Sequence, residues 1–305
     1  MTQPSSILVL GAGELGNEVL QSLASHSSRG NCQISLLLRP SAIASTNATK
    51  QAELQSYRDA QISFVTGDIA NDSIPQLTAT FAPFDTIISC TGMALPAGTQ
   101  LKLTRAVLAA GVRRYFPWQF GIDYDAIGRA SAQDLFDEQL DVREILRGQK
   151  ETKWVIVSTG MFMSFLFEPA FGVVDLRAGS VAALGSWENE LTVTAVEDIG
   201  RVVAELALVE VEEEGVVYVA GDTVSMQRLA DVVEILRGEK VKREVKDVDR
   251  LKSELAEAPY DVMNKYRVVF AAGVGVSWEK GKSFNVKHGM ETIVVDDWAK
   301  RHLRL

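Results

Sequence analysis

The stretch Ile7-Leu8-Val9-Leu10-Gly11-Ala12-Gly13-Glu14-Leu15-Gly16 decides the fold. Four consecutive apolar residues read as a buried strand, and Gly11 ends it. Leu15, Val19, Leu20 and Leu23 then follow helical spacing. The glycines between form G-x-G-x-x-G in a strand-to-helix setting, the context in which this pattern carries meaning. The first glycine permits a tight turn, the second lets backbone approach a pyrophosphate, and the third lets helix and strand pack closely. Free N–H groups and the helix dipole at that end suit negative charge. Gly11, Ala12, Gly13, Glu14, Leu15 and Gly16 are therefore expected to hold a dinucleotide.

The pattern continues outward from this turn. Residues 34–38, 62–65, 86–90, 115–116 and 154–158 read as further strands, with a helix over 101–110 closed by Gly111. Strands alternating with helices predict parallel βαβ units in a doubly wound α/β sheet of Rossmann type, and solid apolar strands fit a sheet covered on both faces. The second half is less regular. Strands are expected at 181–184, 191–195 and 216–219, and helices at 197–208, 226–236 and 296–303. Residues 240–249 read as a solvated strand edge and turn. The division is placed near Gly160: a dinucleotide-binding domain over 1–159 and a smaller C-terminal α/β substrate lobe over 160–305, parts of which return to the main sheet.

The end of the second strand distinguishes the cofactors. NAD-binding chains carry Asp or Glu there for the ribose hydroxyls. Here the sequence is Leu38-Arg39-Pro40, and a guanidinium suits a 2′-phosphate through bidentate contacts. Arg39, with Lys50 as a second cation, favours NADP(H) over NAD(H). Two later turns should also approach the cofactor: Gly67-Asp68, where Asp68 would reach the adenine region, and Cys90-Thr91-Gly92, where glycine lets the chain pass a ribose. Cys90 itself reads as a packed small residue more than a reactive thiol.

Composition narrows the chemistry. The chain has 305 residues and a net charge of −9, with no basic stretch, which argues against nucleic acid. Cys32 and Cys90 make no disulfide framework, and His26, His288 and His302 are dispersed without zinc spacing, so no metal is expected. The start Met-Thr-Gln-Pro-Ser-Ser is no signal-peptide n-region, and no apolar run approaches the roughly 20 residues of a membrane span. A cytoplasmic monomer or homodimer is expected.

The fifth strand runs into Phe116-Pro117-Trp118-Gln119-Phe120-Gly121-Ile122-Asp123, followed by a helix over about 130–147. With Ser158-Thr159-Gly160-Met161-Phe162 and Glu197-Asp198-Ile199-Gly200, this resembles the isoflavone reductase-like and NmrA-like branch of the atypical short-chain dehydrogenases. That branch includes phenylcoumaran benzylic ether and pinoresinol–lariciresinol reductases, and the chain looks most like fungal aromatic alcohol reductase-type homologues. The resemblance covers nearly the whole chain and is weakest after Pro259. It implies an NADPH-binding domain, a substrate lobe, and hydride delivery to an aromatic or conjugated small molecule of secondary-metabolite type.

The site departs from both patterns it could follow. None of the six tyrosines has a lysine four residues on, so the Tyr-x-x-x-Lys pair is absent. The resemblance implies a lysine in the helix after F-P-x-x-F-G. Alignment through Phe136 and Val142-Arg143 puts Gln139 there, and an amide cannot move a proton near neutral pH. Leu135, Gln139, Val142 and Leu146 share one helical stripe, with Asp137, Glu138, Asp141 and Glu144 on the other arc. Gln139 thus faces inward, either as a satisfied core amide or as a contact to cofactor or substrate. Asp123 and Tyr124 are the nearest titratable candidates for protonating the anion left by hydride transfer, although a capping aspartate is the more ordinary use of Asp123. Gln119 and Phe120 lie where the turn would meet the cofactor. Trp118, Met161, Phe162 and Phe165, with Tyr266 and Trp278 from the tail, form a candidate substrate wall, each equally a core residue. Two other readings stay open: a non-redox isomerase, cyclase or dehydratase on this scaffold, and an NADP(H)-sensing regulator.

Overall fold

The computed structural model describes residues 4–92, 95–209 and 213–303. The chain begins β1 (Ser6–Leu10), α1 (Glu14–Ser25), β2 (Gln33–Leu38), α2 (Pro40–Ile43), α3 (Ala48–Asp59), β3 (Ile62–Thr66), α4 (Ile74–Phe81), β4 (Thr86–Ser89), α5 (Thr99–Ala109) and β5 (Arg114–Phe116). Next come α6 (Tyr124–Ile127), α7 (Leu135–Arg147), β6 (Lys153–Ser158), β7 (Met161–Phe162), α8 (Met163–Leu166), β8 (Val174–Asp175), β9 (Ser180–Leu184), β10 (Glu190–Thr194) and α9 (Val196–Leu208). The chain continues through β11 (Gly215–Tyr218), β12 (Asp222–Ser225), α10 (Met226–Arg237), β13 (Lys242–Lys246), α11 (Val248–Glu257), α12 (Val262–Ala272), α13 (Phe284–Lys287) and α14 (Val295–His302).

Two compact units are each assembled from three segments. The first takes Met1–Gln119, Asp141–Val157 and Ile199–Val217; the second takes Phe120–Leu140, Ser158–Asp198 and Tyr218–Leu305. The division passes through α7.

The first unit is organised by a seven-stranded sheet of order β11-β6-β5-β4-β1-β2-β3. From β1 to β6 every pairing is parallel, with Ile7 opposite Ile34 on one side and Thr86 on the other. The chain steps from β1 to β2 and β3 on one side, then to β4, β5 and β6 on the other. Strand order therefore reverses between β1 and β4, and ligands of open α/β sheets bind beyond the carboxyl ends of the strands at such a switch point. Leu8, Leu10, Leu77, Phe81, Ile87, Leu103, Tyr115, Val142 and Ile156 form the buried core on one face. Complete burial of such a side chain contributes about 1.5–3 kcal/mol. The doubly wound sheet predicted from the alternation is thus observed.

The second unit holds two three-stranded sheets, β12-β10-β7 and β13-β9-β8, around a core that includes Met161, Phe171, Leu184, Val193, Leu229 and Val269. The charged stretch 240–249 becomes edge strand β13, paired parallel with β9, and the start of α11. The helix expected from residue 130 starts at Leu135. Ala130 has φ +55°, a conformation that a helix cannot continue, and Asp137 Oδ1 accepts the Ala130 N–H at 3.0 Å. No described helix is long and apolar enough to cross a membrane.

Candidate functional site

The glycine turn joins β1 to α1. Gly11 has φ +94°, a conformation costly for any residue with a Cβ. A Cβ on Gly16 would stand 2.1 Å from the Gly11 carbonyl oxygen, so the third glycine is required by helix–strand contact. A Cβ on Gly13 would meet nothing within 4 Å. Gly13 is also the N-cap of α1, and no side chain occupies the capping position. The first-turn N–H groups of this helix therefore face an open cradle, with Ala12 half-buried and Glu14 exposed beside it and Leu15 buried behind. That is a fit for a pyrophosphate held by backbone.

Cys90 lies beneath the turn. Its N–H donates to the Leu10 carbonyl at 2.8 Å, and burial pushes its thiol well above the ordinary range. It is a packing residue with no thiolate character. Thr91 is buried and shares a 3.0 Å hydroxyl bond with Ser89, while Gly92 is exposed with free space around it. Arg39 caps α2 at the carboxyl end of β2 with its side chain exposed. Asp68 is drawn into its own turn. The Asn71 amide and the Asn71 and Ala70 backbone N–H groups, with a smaller part from Arg39, hold its carboxyl below the usual carboxylate range. Lys50 is engaged by Glu53 at 2.9 Å on α3. Of the two cations expected here, Arg39 is the more exposed, and Lys50 brings a carboxylate with it.

Gln119 and Arg143 are both completely buried in the first unit, and Arg143 Nε donates to Gln119 Oε1 at 2.8 Å. Gln119 is therefore tied to α7, which the signature turn alone did not announce. The signal was present: Arg143 follows Gln139 by four residues and so shares its helical stripe. Gln139 is completely buried, as the stripe predicts.

In the second unit Asp123 is the N-cap of α6. Its Oδ1 accepts from the N–H groups of Asp125 and Ala126 at 3.1 and 3.2 Å, and its Oδ2 accepts from the Tyr218 hydroxyl at 2.7 Å. Tyr218 was not singled out in the sequence, because nothing local marks a tyrosine at the end of a strand. Tyr124 is buried against Phe136, ring centroids 4.8 Å apart. Phe136 meets Tyr266 edge-on, and Tyr266 meets Phe165 at 5.5 Å. Burial, with Tyr124 nearby, drives the Tyr266 hydroxyl far above its ordinary value. This cluster is core. Phe120 and Met161 are buried, whereas Trp118 and Phe162 are half-buried. Trp278 stands apart from the cluster, edge-on to Tyr218 at 5.2 Å, with its indole Nε1 donating to the Val219 carbonyl. Of the wall predicted from sequence, Phe165 meets Tyr266, and Trp278 meets Tyr218.

Three hydrogen bonds, two between backbone groups and one from a side-chain hydroxyl, hold the loops of this region together. Thr159 N–H donates to the Gly121 carbonyl, Thr194 Oγ1 to the Thr159 carbonyl, and Val219 N–H to the Ser158 carbonyl. In the same unit Asp198, almost fully buried, accepts from the Ile293 N–H at 2.7 Å. Both family-like stretches named in the sequence therefore have structural work in joining distant segments.

Comparison with known proteins agrees with this construction. Residues 3–280 match the model of the NmrA-like family. An NmrA-like family domain-containing oxidoreductase of Gibberella moniliformis is 46% identical over 97% of each chain. Among solved structures, isoflavone reductase superposes with a TM-score of 0.79 at 18% identity, covering 99% of this chain and 100% of that one. AtPrR2, solved with NADP+ and (+)-pinoresinol, gives 0.80 at 16% identity with the same coverage. The chain belongs to the NmrA-like family and groups with that family's oxidoreductases.

Proposed function

We propose that the chain is an NADP(H)-dependent reductase that acts on an aromatic or conjugated small molecule. The observation that carries this reading is the glycine cradle at the switch point of the sheet: Gly16 sealed against Gly11, Gly13 open to solvent, and α1 uncapped by any side chain. The turn Gly11 to Gly16 would hold the pyrophosphate by backbone N–H groups, Arg39 would face the 2′-phosphate, and Gly92 would leave room for a ribose. The cofactor supplies a hydride when bound. A fold shared with a protein solved with NADP+ and (+)-pinoresinol supports both the cofactor and the aromatic substrate class.

In this reading Gln139 stands at the position of the family's lysine and contributes hydrogen bonds in place of proton transfer. Asp123 is an acceptor and cap, and Tyr124 is a core residue, so neither acts as the acid; water protonates the anion. The test is NADPH oxidation, followed at the cofactor's absorbance band, across quinone methides, enones, aldehydes and aryl ethers. Turnover with loss of absorbance is expected. Turnover of a substrate at constant absorbance would move the chain to the non-redox isomerases and dehydratases.

A further inference from the structure

The second unit contains a cavity of about 670 Å³ that the proposed reaction does not use. Its volume is in the range of small-molecule sites. Its lining comes from residues 167–182 and 242–246. One side is the sheet β13-β9-β8, where parallel pairing sets Lys242 opposite Ser180 and Glu244 opposite Ala182. Alternate residues of a strand share a face, so Lys242, Glu244 and Lys246 stand together. The apolar wall comes from Phe167, Pro169, Val173 and Leu176. That wall is held from behind. The Phe167 ring stacks on Trp298, centroids 5.5 Å apart, and Arg267 Nη1 donates to the Phe171 and Ala170 carbonyls at 2.9 and 3.3 Å.

The charges lining the cavity differ in how far they are engaged. Both carboxylates have partners. Asp175 Oδ1 accepts from the backbone N–H groups of Arg177 and Ala178 at 2.9 and 2.8 Å, and Glu244 Oε1 accepts from Arg250 Nη1 at 2.5 Å. Arg250, with smaller parts from Lys246 and Lys242, holds the Glu244 carboxyl below the usual carboxylate range. Of the three lining cations, Lys246 has a carboxylate partner in Glu254 at 3.8 Å. Among the described residues, no carboxylate is in ion-pair contact with Arg177 or Lys242, and both residues are exposed. In a chain of net charge −9, the cavity thus sets two uncommitted cations beside an apolar wall.

We propose that this cavity binds a small aromatic carboxylate, its ring against Phe167, Pro169, Val173 and Leu176 and its carboxylate met by Arg177 and Lys242. A guanidinium offers a carboxylate two parallel N–H groups, and a lysine adds a point charge. A neutral molecule of the same shape fills the same space and leaves both cations unmatched. The site lies wholly within the second unit and stands independently of the reductase reading.

The test is calorimetric titration of the full chain, saturated with NADP+, with 2-naphthoate and 2-naphthamide at low ionic strength. The two probes share a ring system and differ in charge. The naphthoate should bind at least about tenfold tighter, the scale of a hydrogen bond to a charged group. Lys242→Glu and Arg177→Glu should each bring the two probes level. Lys240→Glu makes the same change of net charge at an exposed lysine outside the cavity, and should keep the preference. Equal binding of the probes to the unaltered protein, or binding of neither, overturns the proposal. So does a preference that survives both reversals, which would place the anion elsewhere, or one that Lys240→Glu removes as completely as Lys242→Glu.

Discussion

In the first unit, the proposed cofactor cradle is a local backbone turn, Gly11 to Gly16, at the start of α1. In the second, the best-defined polar contact at the candidate residues joins two side chains 95 residues apart at 2.7 Å. The first arrangement depends on what is missing: Cβ atoms at Gly11 and Gly16, and a side-chain cap on α1. The second depends on what is present, a carboxylate whose two oxygens serve different partners. A site made of backbone is broken by adding atoms, and a site made of paired side chains is broken by removing them. The substitutions that test each unit therefore run in opposite directions.

The largest effect is expected at Gly16. Gly16→Val places atoms inside van der Waals contact of the Gly11 carbonyl, so the turn cannot close. Overpacking of this kind costs about 1–3 kcal/mol, and NADP(H) binding, followed by the cofactor's fluorescence, should weaken by at least about a hundredfold, equivalent to 2.8 kcal/mol. Gly13→Ala separates the two consequences, since its methyl meets no protein atom within 4 Å. Its unfolding midpoint should stay within about 0.5 kcal/mol of the parent, while NADP(H) affinity falls. Unchanged affinity in this variant would remove the pyrophosphate from the cradle.

Next in size is Arg39→Glu, which sets a carboxylate against the 2′-phosphate. Loss of one charge-assisted contact is worth about 1.5–3 kcal/mol, so the Kd for NADP(H) should rise about ten- to a hundredfold with that for NAD(H) almost unmoved. Parallel losses for both cofactors would place Arg39 elsewhere. Gln119→Leu then tests the buried tie to α7. It removes the acceptor of Arg143 Nε and should cost about 1–3 kcal/mol in urea unfolding. In the second unit Asp123→Ala loses the α6 cap, at about 1 kcal/mol, while Asp123→Asn retains it. Equal destabilisation by the two would show that the cap contributes nothing.

The smallest expected effect is one of pH. Asp68 has its carboxyl lowered in the folded state, chiefly by Asn71, so its stabilising part is complete above the ordinary carboxylate range. It is lost as pH falls through the lowered value. Asn71→Ala should move that loss toward higher pH in acid-unfolding curves, and an unshifted acid limb would deny the Asn71 bond its role.

The regular unit was the more legible one because its elements announce themselves locally. Residues 7–10 are an unbroken apolar run and 34–38 are apolar but for Ser35, since strands covered on both faces have no reason to alternate. α3 escaped notice because only Leu54 and Tyr57 of its twelve residues are buried, which leaves almost no stripe to read. α11 has the same character, with Leu251 as its one buried residue. α12 was obscured differently: its buried residues include Asn264 and Tyr266 among Val268, Val269 and Phe270, a mixture without clean periodicity. At the candidate site, Gly11, Gly13, Gly16 and the inward face of Gln139 follow from spacing. The burial of Gln119 on Arg143 does not, because it depends on which partner the folded chain delivers. The Lys50–Glu53 pair is an i,i+3 neighbour contact, hidden only because α3 itself shows so little stripe.

The sequence by itself determined the glycine turn, the parallel sheet and the position of the Arg39 cation after the second strand, because local backbone conformation and element type are dictated by short-range sterics and periodicity. Only the tertiary structure decided that Phe165 meets Tyr266, that Trp278 meets Tyr218, and that the Asp123 carboxylate is shared between a helix cap and Tyr218. The physical reason is range. A glycine's φ and a helix stripe are properties of neighbours in the chain, whereas a hydrogen bond between residues 123 and 218 exists only after the segments between them have folded.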